Sequence, residues 1–523
     1  MTPRVHTEHL AATDGTPLAT DLCLPAGPGP HPTVLIRTPY DRRLHHAELA
    51  AWARSGFAAL AQDVRGRHGS AGEWRPYHHE RADGAAALRW VRARPWSDGR
   101  VVAAGASYAA YCALAPALDP AQDAALDAAP AARPDAVIAA VAALGAADTA
   151  REPAGPERLW SRAGWWAAHG DRPDSEPDAL DRALARDPHL LHHLPLTDLP
   201  RRLGRPLPSW PELWACRERG RIVRAAARAT VPLLAVGGTH DPFRADTLAL
   251  WEGWRGAPAR LLLGPWAHGL TAAPGPDADP AHRVALGPLY ARWARLALDG
   301  GLAPRPRGAL ALGGAPLWLP ATGPAARHRP RPLVQRFGRP GGLRVLSGSR
   351  FTADPNDPVR SDDLAVPRRP DGAPDRCVLL AAPLARPLDL LGEAAVRLRV
   401  TADAPTADWV ARLIALAPSG RAVHLATGVI RRHDPPGRPA DVTVPLGHLA
   451  RRLPPGTRLR LEIAGHHFPA HARNPHTGQD PVTATALRPS RRAVTTAAGA
   501  LELPAVRPCR FTDAVDPVQE ICR

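Results

Sequence analysis

The chain has 523 residues and a formal net charge of +16, enough length for two or three domains, and all its non-histidine basic residues are arginines scattered through every segment rather than clustered with aromatics as on a nucleic-acid surface. No apolar run approaches ~18 residues without a charge or proline, so no membrane span is expected, and Met1–Leu10 lacks the charged-then-apolar layout of a secretory leader. The six cysteines (Cys23, Cys112, Cys216, Cys377, Cys509 and Cys522) have neither CxxC spacing nor a histidine at metal-ligand spacing, which predicts buried thiols in a reducing compartment, hence the cytoplasm, with no metal and no cofactor.

From the N-terminus, Val5 to Cys23 alternates loosely around Asp14-Gly15 and predicts a β-hairpin. Thr33–Arg37 is a short buried strand that stops at Pro39-Tyr40. A helix over Glu48–Ser55 leads through Gly56 into the strand Phe57–Val64, followed by the glycine-rich Arg65–Gly72 loop, a helix over Asp83–Arg94 and a strand over Val101–Ala104. Strands alternating with helices in this way predict a parallel α/β sheet, whose chemistry sits at the carboxyl ends of its strands. Tyr40, the Arg65 loop and Ser107 all fall there.

Gly105-Ala106-Ser107-Tyr108-Ala109 joins that strand to an Ala-rich helix. A serine on so tight a turn needs small residues two positions to either side, and Gly105 and Ala109 meet the demand, which reads as a nucleophile elbow. Val137–Leu144 predicts another strand. The following stretch is helical and rich in Trp and Pro, with Trp160, Trp165, Trp166, Trp210 and Trp214, and predicts a cap over the sheet. The sheet resumes at Val231–Gly238, ending in Thr239-His240-Asp241-Pro242-Phe243, and again at Arg260–Leu263, ending in Gly264-Pro265-Trp266-Ala267-His268. Nucleophile, acid and histidine in the order Ser107, Asp241, His268 is the order of an α/β-hydrolase. Leu286–Leu298 predicts a closing helix, and beyond Pro304 short period-two runs separated by Pro and Gly predict an all-β sandwich of jelly-roll type.

A serine hydroxyl needs an imidazole to take its proton, and an acid to orient that imidazole. His268 is the expected base and Asp241 its orienting partner; the nearby Asp246 falls inside the following helix and is expected to face solvent. The oxyanion needs donors, for which the elbow supplies the Tyr108 backbone N–H and the loop after an early strand supplies the Tyr40 phenol. Asp63 and Arg65 are expected to form an ion pair or turn lock rather than to react.

Several stretches resemble the serine-hydrolase family that includes cocaine esterases, α-amino-acid ester hydrolases, glutaryl acylases and X-prolyl dipeptidyl-peptidases. They are Arg37–Arg42, Gln62–Arg67, Pro95–Gly99, Gly105–Tyr108, Gly237–Phe243 and Gly264–His268 in the sheet region, with Asp354–Val359 and Phe468–Pro475 further on. The resemblance implies an α/β-hydrolase core (1–147 and 230–304), an inserted helical cap (148–229) and a C-terminal jelly roll (305–523). It implies the triad Ser107, Asp241 and His268 with an oxyanion hole of Tyr40 and Tyr108. Two departures stand out: Ala110 occupies a position where the family often has Gly, and Arg360-Ser361-Asp362-Asp363 replaces the usual Thr-x-Gly-Gly.

The expected function is serine-dependent cleavage of an ester or amide in a small molecule through an acyl-enzyme, with no nucleic-acid or membrane partner and a possible homodimer. Trp160, Trp165, Trp166 and Phe243 are the candidate substrate contacts. The rival readings are an aminopeptidase or α-amino acyl hydrolase or transferase that binds a free ammonium, with Asp171, Asp174, Glu176 and Asp178 as candidate cap carboxylates, and a silent binding protein that keeps the fold.

Overall fold

Asp14 and Gly15 turn the chain between two strands, β1 (Val5–Ala11) and β2 (Pro17–Cys23), which pair antiparallel with Val5 opposite Cys23. The computed structural model describes residues 4–118, 130–321, 331–365 and 373–523. The hairpin edges a ten-stranded sheet whose interior alternates strand and helix. In chain order these are β3 (His31–Thr38), α1 (His46–Arg54), β4 (Ala58–Asp63), α2 (Glu80–Arg92), β5 (Ser97–Ala106), α3 (Tyr108–Ala117) and β6 (Ala136–Ala140). After a helical insertion, β7 (Leu233–Gly238), α10 (Arg244–Gly253), β8 (Ala259–Gly264), α11 (Leu286–Leu298), β9 (Arg307–Leu312) and β10 (Leu317–Pro320) complete the sheet. The spatial order is β1-β2-β4-β3-β5-β6-β7-β8-β9-β10, parallel from β4 to β9. Strands buried on both faces explain the unbroken apolar runs. Trp52, Trp293 and Leu289 cover one face, and Leu250, Trp251 and Trp254 the other.

Two boundaries differ from expectation. The strand expected over Val137–Leu144 ends at Ala140, because Val141 adopts φ 42° and turns the chain out of the ladder. The β-sandwich, expected from residue 305, starts later. Ala309–Leu312 is fully buried and pairs with β8, so β9 and β10 extend the hydrolase sheet to Pro320. An alternating Ala-Leu run carries no mark of which sheet it joins.

Six short helices form the cap: α4 (Ala146–Ala150), α5 (Leu159–His169), α6 (Ala179–Arg186), α7 (Leu199–Leu203), α8 (Ser209–Ala215) and α9 (Arg221–Ala226). Leu159, Trp166, Leu180, Trp210 and Trp214 pack together as its core, joined by Phe468 from the C-terminal region. That region is all-β, with an antiparallel six-stranded sheet and a five-stranded one enclosing Phe351, Trp409, Leu413 and Leu461. Among the contacts that tie it to the other parts, Arg452 N–H donates to the Gly313 carbonyl at 2.7 Å, and Arg431 pairs with Glu157 of the cap at 3.0 Å. No helix among the described residues is long and apolar enough to cross a membrane.

Candidate active site

Ser107 lies between β5 and α3 at φ 58°, ψ −121°, a left-handed geometry that costs an L-residue of order 1–3 kcal/mol. The neighbouring small residues are what make it possible. A Cβ on Gly105 would lie 2.3 Å from the Ala109 carbonyl carbon, so only glycine fits beneath the first turn of α3. The turn is held from below by Ser107 N–H to the Ala140 carbonyl at 2.9 Å.

The Tyr40 hydroxyl stands 3.4 Å from Ser107 Oγ. It accepts the Trp165 Nε1–H at 3.1 Å, so its own proton is left to point toward the serine. Burial pushes the Tyr40 phenol above its ordinary 10, against the pull of its hydrogen bonds with Ser107 and Trp165, so it remains a neutral donor near neutral pH.

Asp241 and His268 follow β7 and β8. Gly238 lets the two loops touch, since a Cβ there would sit 2.0 Å from the Trp266 carbonyl oxygen. The loops are then tied by His240 N–H to that carbonyl at 3.0 Å and by Thr239 N–H to Gly264 O at 2.9 Å. His268 Nδ1–H donates to the buried Asp241 Oδ1 at 2.7 Å, which leaves Nε2 as the basic nitrogen. The Phe243 ring meets the His268 ring edge-on at 5.5 Å.

The expected substrate contacts separate. Trp165 stacks on Tyr108 with centroids 5.5 Å apart at 14°, directly beside the oxyanion donors, and Phe243 flanks the histidine. Trp166 instead faces the cap interior, donating from Nε1 to Ser209 Oγ at 2.9 Å. Trp160 is 43% exposed at the start of α5, so apolar character there does not make a pocket wall. Asp246 is also unlike the expectation: it is 8% exposed, because the start of α10 is covered by Arg158 and Arg219, each 4.0 Å from it. Burial pushes its carboxyl up to about 7. Asp63 does serve as a lock, accepting from Arg42 N and Nη1 at 2.7 and 2.6 Å, while Arg65 pairs with Asp83 and Asp14 at 2.7 Å each.

Two residues near the elbow were invisible to motif reading. Glu80, at the start of α2, is buried and accepts from the Tyr108 hydroxyl at 2.5 Å, and that hydroxyl accepts the Tyr77 N–H at 2.6 Å. Burial raises the Glu80 carboxyl to about 7. These hydrogen bonds anchor the side chain of Tyr108, whose backbone N–H is one of the expected oxyanion donors. The second is Arg162 of α5, 5% exposed, with its guanidinium 5.9 Å from the Phe243 ring centroid. The cap carboxylates are engaged elsewhere: Asp171 accepts from Ser209 N and Oγ, Asp174 pairs with Arg172, Glu176 pairs with Arg182 and Arg205, and Asp178 is exposed at the start of α6.

Residues 14–270 match the X-Pro dipeptidyl-peptidase (S15 family), and residues 346–501 match the X-Pro dipeptidyl-peptidase C-terminal non-catalytic domain. The chain belongs to that family. It is therefore a serine hydrolase of ester or peptide bonds. Cocaine esterase of Rhodococcus sp. (strain MB1 Bresler) is 26% identical over 552 residues, covering 89% of this chain and 91% of that one. Among solved structures, an aminopeptidase from a marine sediment Thaumarchaeota archaeon superposes with TM-score 0.77 at 20% identity, covering 97% of both chains. An α-amino acid ester hydrolase superposes with TM-score 0.74 at 18% identity, covering 96% of this chain and 97% of the other. Both share the α/β-hydrolase fold with its C-terminal all-β domain.

Proposed function

We propose that Ser107 is the nucleophile of an esterase or amidase acting on a small molecule through an acyl-enzyme. The observation that carries this reading is the strained Ser107 with the Tyr40 hydroxyl 3.4 Å from its Oγ, because a left-handed serine beside a proton-donating phenol has no structural purpose that a relaxed residue would not serve better. In the forward step Ser107 Oγ bonds to the carbonyl carbon while its proton passes to His268 Nε2. The carbonyl oxygen becomes an alkoxide held by Tyr40 Oη–H and the Tyr108 N–H. Collapse breaks the bond to the leaving alcohol or amine, which takes the proton from His268. Water then repeats the sequence, releasing the acid and restoring the serine. Asp241 holds the imidazole tautomer and balances its charge.

Recognition of a free ammonium requires an unpaired carboxylate at the site, whereas the candidate carboxylates of the cap are bound to arginines, to Ser209 or to solvent. The experiment is hydrolysis of a p-nitrophenyl ester beside an aminoacyl p-nitroanilide by the wild type and by Ser107→Ala, with fluorophosphonate labelling of both proteins. Ester turnover and labelling, each lost in the variant, support the reading; turnover retained by Ser107→Ala sinks it.

A further inference from the structure

Arg162 is buried under the cap with no carboxylate oxygen within 4.0 Å of its guanidinium among the described residues. Its Nε has no hydrogen-bond partner. Other buried arginines also leave a nitrogen bare, among them Arg151 and Arg260 at Nε and Arg158 at Nη1, but the rest of each guanidinium is held by carboxylates or backbone carbonyls. Arg158, one turn earlier, is held by both oxygens of Glu152 at 2.9 and 3.0 Å. Arg67 is ringed by the carbonyls of Pro39, Arg172 and Asp174, and Arg260 by those of Ala303, Arg305 and Arg523. Arg492 shares the deficit, but it packs on Trp409 and His476 inside the β-domain, where no reacting group stands.

The surroundings of Arg162 are those of the reaction centre. Phe243, under its guanidinium, touches the His268 ring. Burying a guanidinium without a counter-charge costs several kcal/mol, and arginine cannot escape that cost by losing its proton. A planar anion entering between Tyr40 and Phe243 would supply the missing pair with two parallel hydrogen bonds.

We propose that Arg162 determines specificity by binding a carboxylate carried by the ester or amide substrate, an assignment that rests on Ser107 being the nucleophile. The same charge repels an ammonium, so the site selects against free amines at this position. The carboxylate can lie on the acyl side or on the leaving group, and paired substrates distinguish the two.

The test measures kcat/KM for p-nitrophenyl hemiglutarate against its methyl ester, and for 3-acetoxybenzoate against phenyl acetate, in the wild type, Arg162→Gln and Arg162→Lys. A preference of about tenfold or more for the carboxylate in one pair is expected. Arg162→Gln should abolish it, bringing the ratio within the pair to about one, and Arg162→Lys should keep part of it because a point charge lacks the fork. Equal or better turnover of the neutral partner in both pairs overturns the inference and leaves the Ser107 reading intact. Where Ser107 labels with fluorophosphonate but neither pair turns over, or where Arg162→Gln does not fold, protection of the wild-type serine by free glutarate and not by dimethyl glutarate supports the inference, and equal protection or none overturns it. Absence of both turnover and labelling overturns both readings.

Discussion

Tyr40→Phe removes one hydroxyl and keeps the ring, which makes it the sharpest test of the oxyanion site. The ring packs edge-on against His169 with centroids 5.1 Å apart, a contact that phenylalanine retains. The structural loss is the acceptor of the Trp165 Nε1–H, a hydrogen bond worth about 1 kcal/mol. The catalytic loss is larger. In the proposed mechanism the hydroxyl 3.4 Å from Ser107 Oγ bonds the alkoxide rather than the ground-state substrate, and deletion of one such donor costs about 2.7–4 kcal/mol, or roughly 10²–10³ in kcat. Steady-state kinetics on a p-nitrophenyl ester should therefore show kcat falling by that factor with KM within about threefold. Because burial holds the phenol above 10, the ratio of wild type to variant should not change between about pH 6 and pH 8. A kcat within about threefold of wild type, or a rise in KM with kcat unchanged, would refute an oxyanion role.

Two further variants probe the supports of the same site. Gly105→Ala places a methyl 2.3 Å from the Ala109 carbonyl carbon and oxygen, so urea titration should show a loss of at least about 1–3 kcal/mol together with loss of fluorophosphonate labelling, since the elbow must open to admit it. Glu80 has its carboxyl raised from 4.5 to about 7 by burial, so the native state prefers the protonated form: its stabilising contribution is full below pH 4.5 and is lost as pH rises through about 7. Glu80→Gln should remove that part of the pH dependence, a difference on the order of 3 kcal/mol at most between pH 4.5 and pH 8, read from paired denaturation curves; parallel curves for the two proteins would refute the burial argument.

What the sequence disclosed about this site was what local sterics dictate. Gly105 and Ala109 are small because strand and helix meet at Ser107, and Asp241 and His268 end strands because a parallel sheet delivers its loops there. These demands act within a few residues and leave a pattern. Glu80 and Arg162 leave none: Glu80 is one of several charged residues in α2, Arg162 the lone arginine of an otherwise apolar and aromatic helix, and the burial of each comes from segments far along the chain. Asp246 misled for the same reason, since its solvent is excluded by Arg158 and Arg219 of the cap. Trp160 misled in the opposite sense, being large and apolar yet at the open start of its helix.

The α5 helix shows why counting tryptophans could not find the pocket. Leu159, Ala163, Trp166 and Ala167 form the stripe buried in the cap. Arg162, Trp165 and His169, spaced by three and four, form the adjacent stripe, and this one contacts the hydrolase core: Trp165 and His169 touch the Tyr40 ring or hydroxyl, and Arg162 lies over Phe243. Neighbouring residues in sequence thus belong to different environments, one holding the cap together and one facing the reaction. The Tyr40 contact and the proposed carboxylate contact of Arg162 therefore hang on a single helix, and a rotation of α5 by one residue, about 100°, would undo both at once.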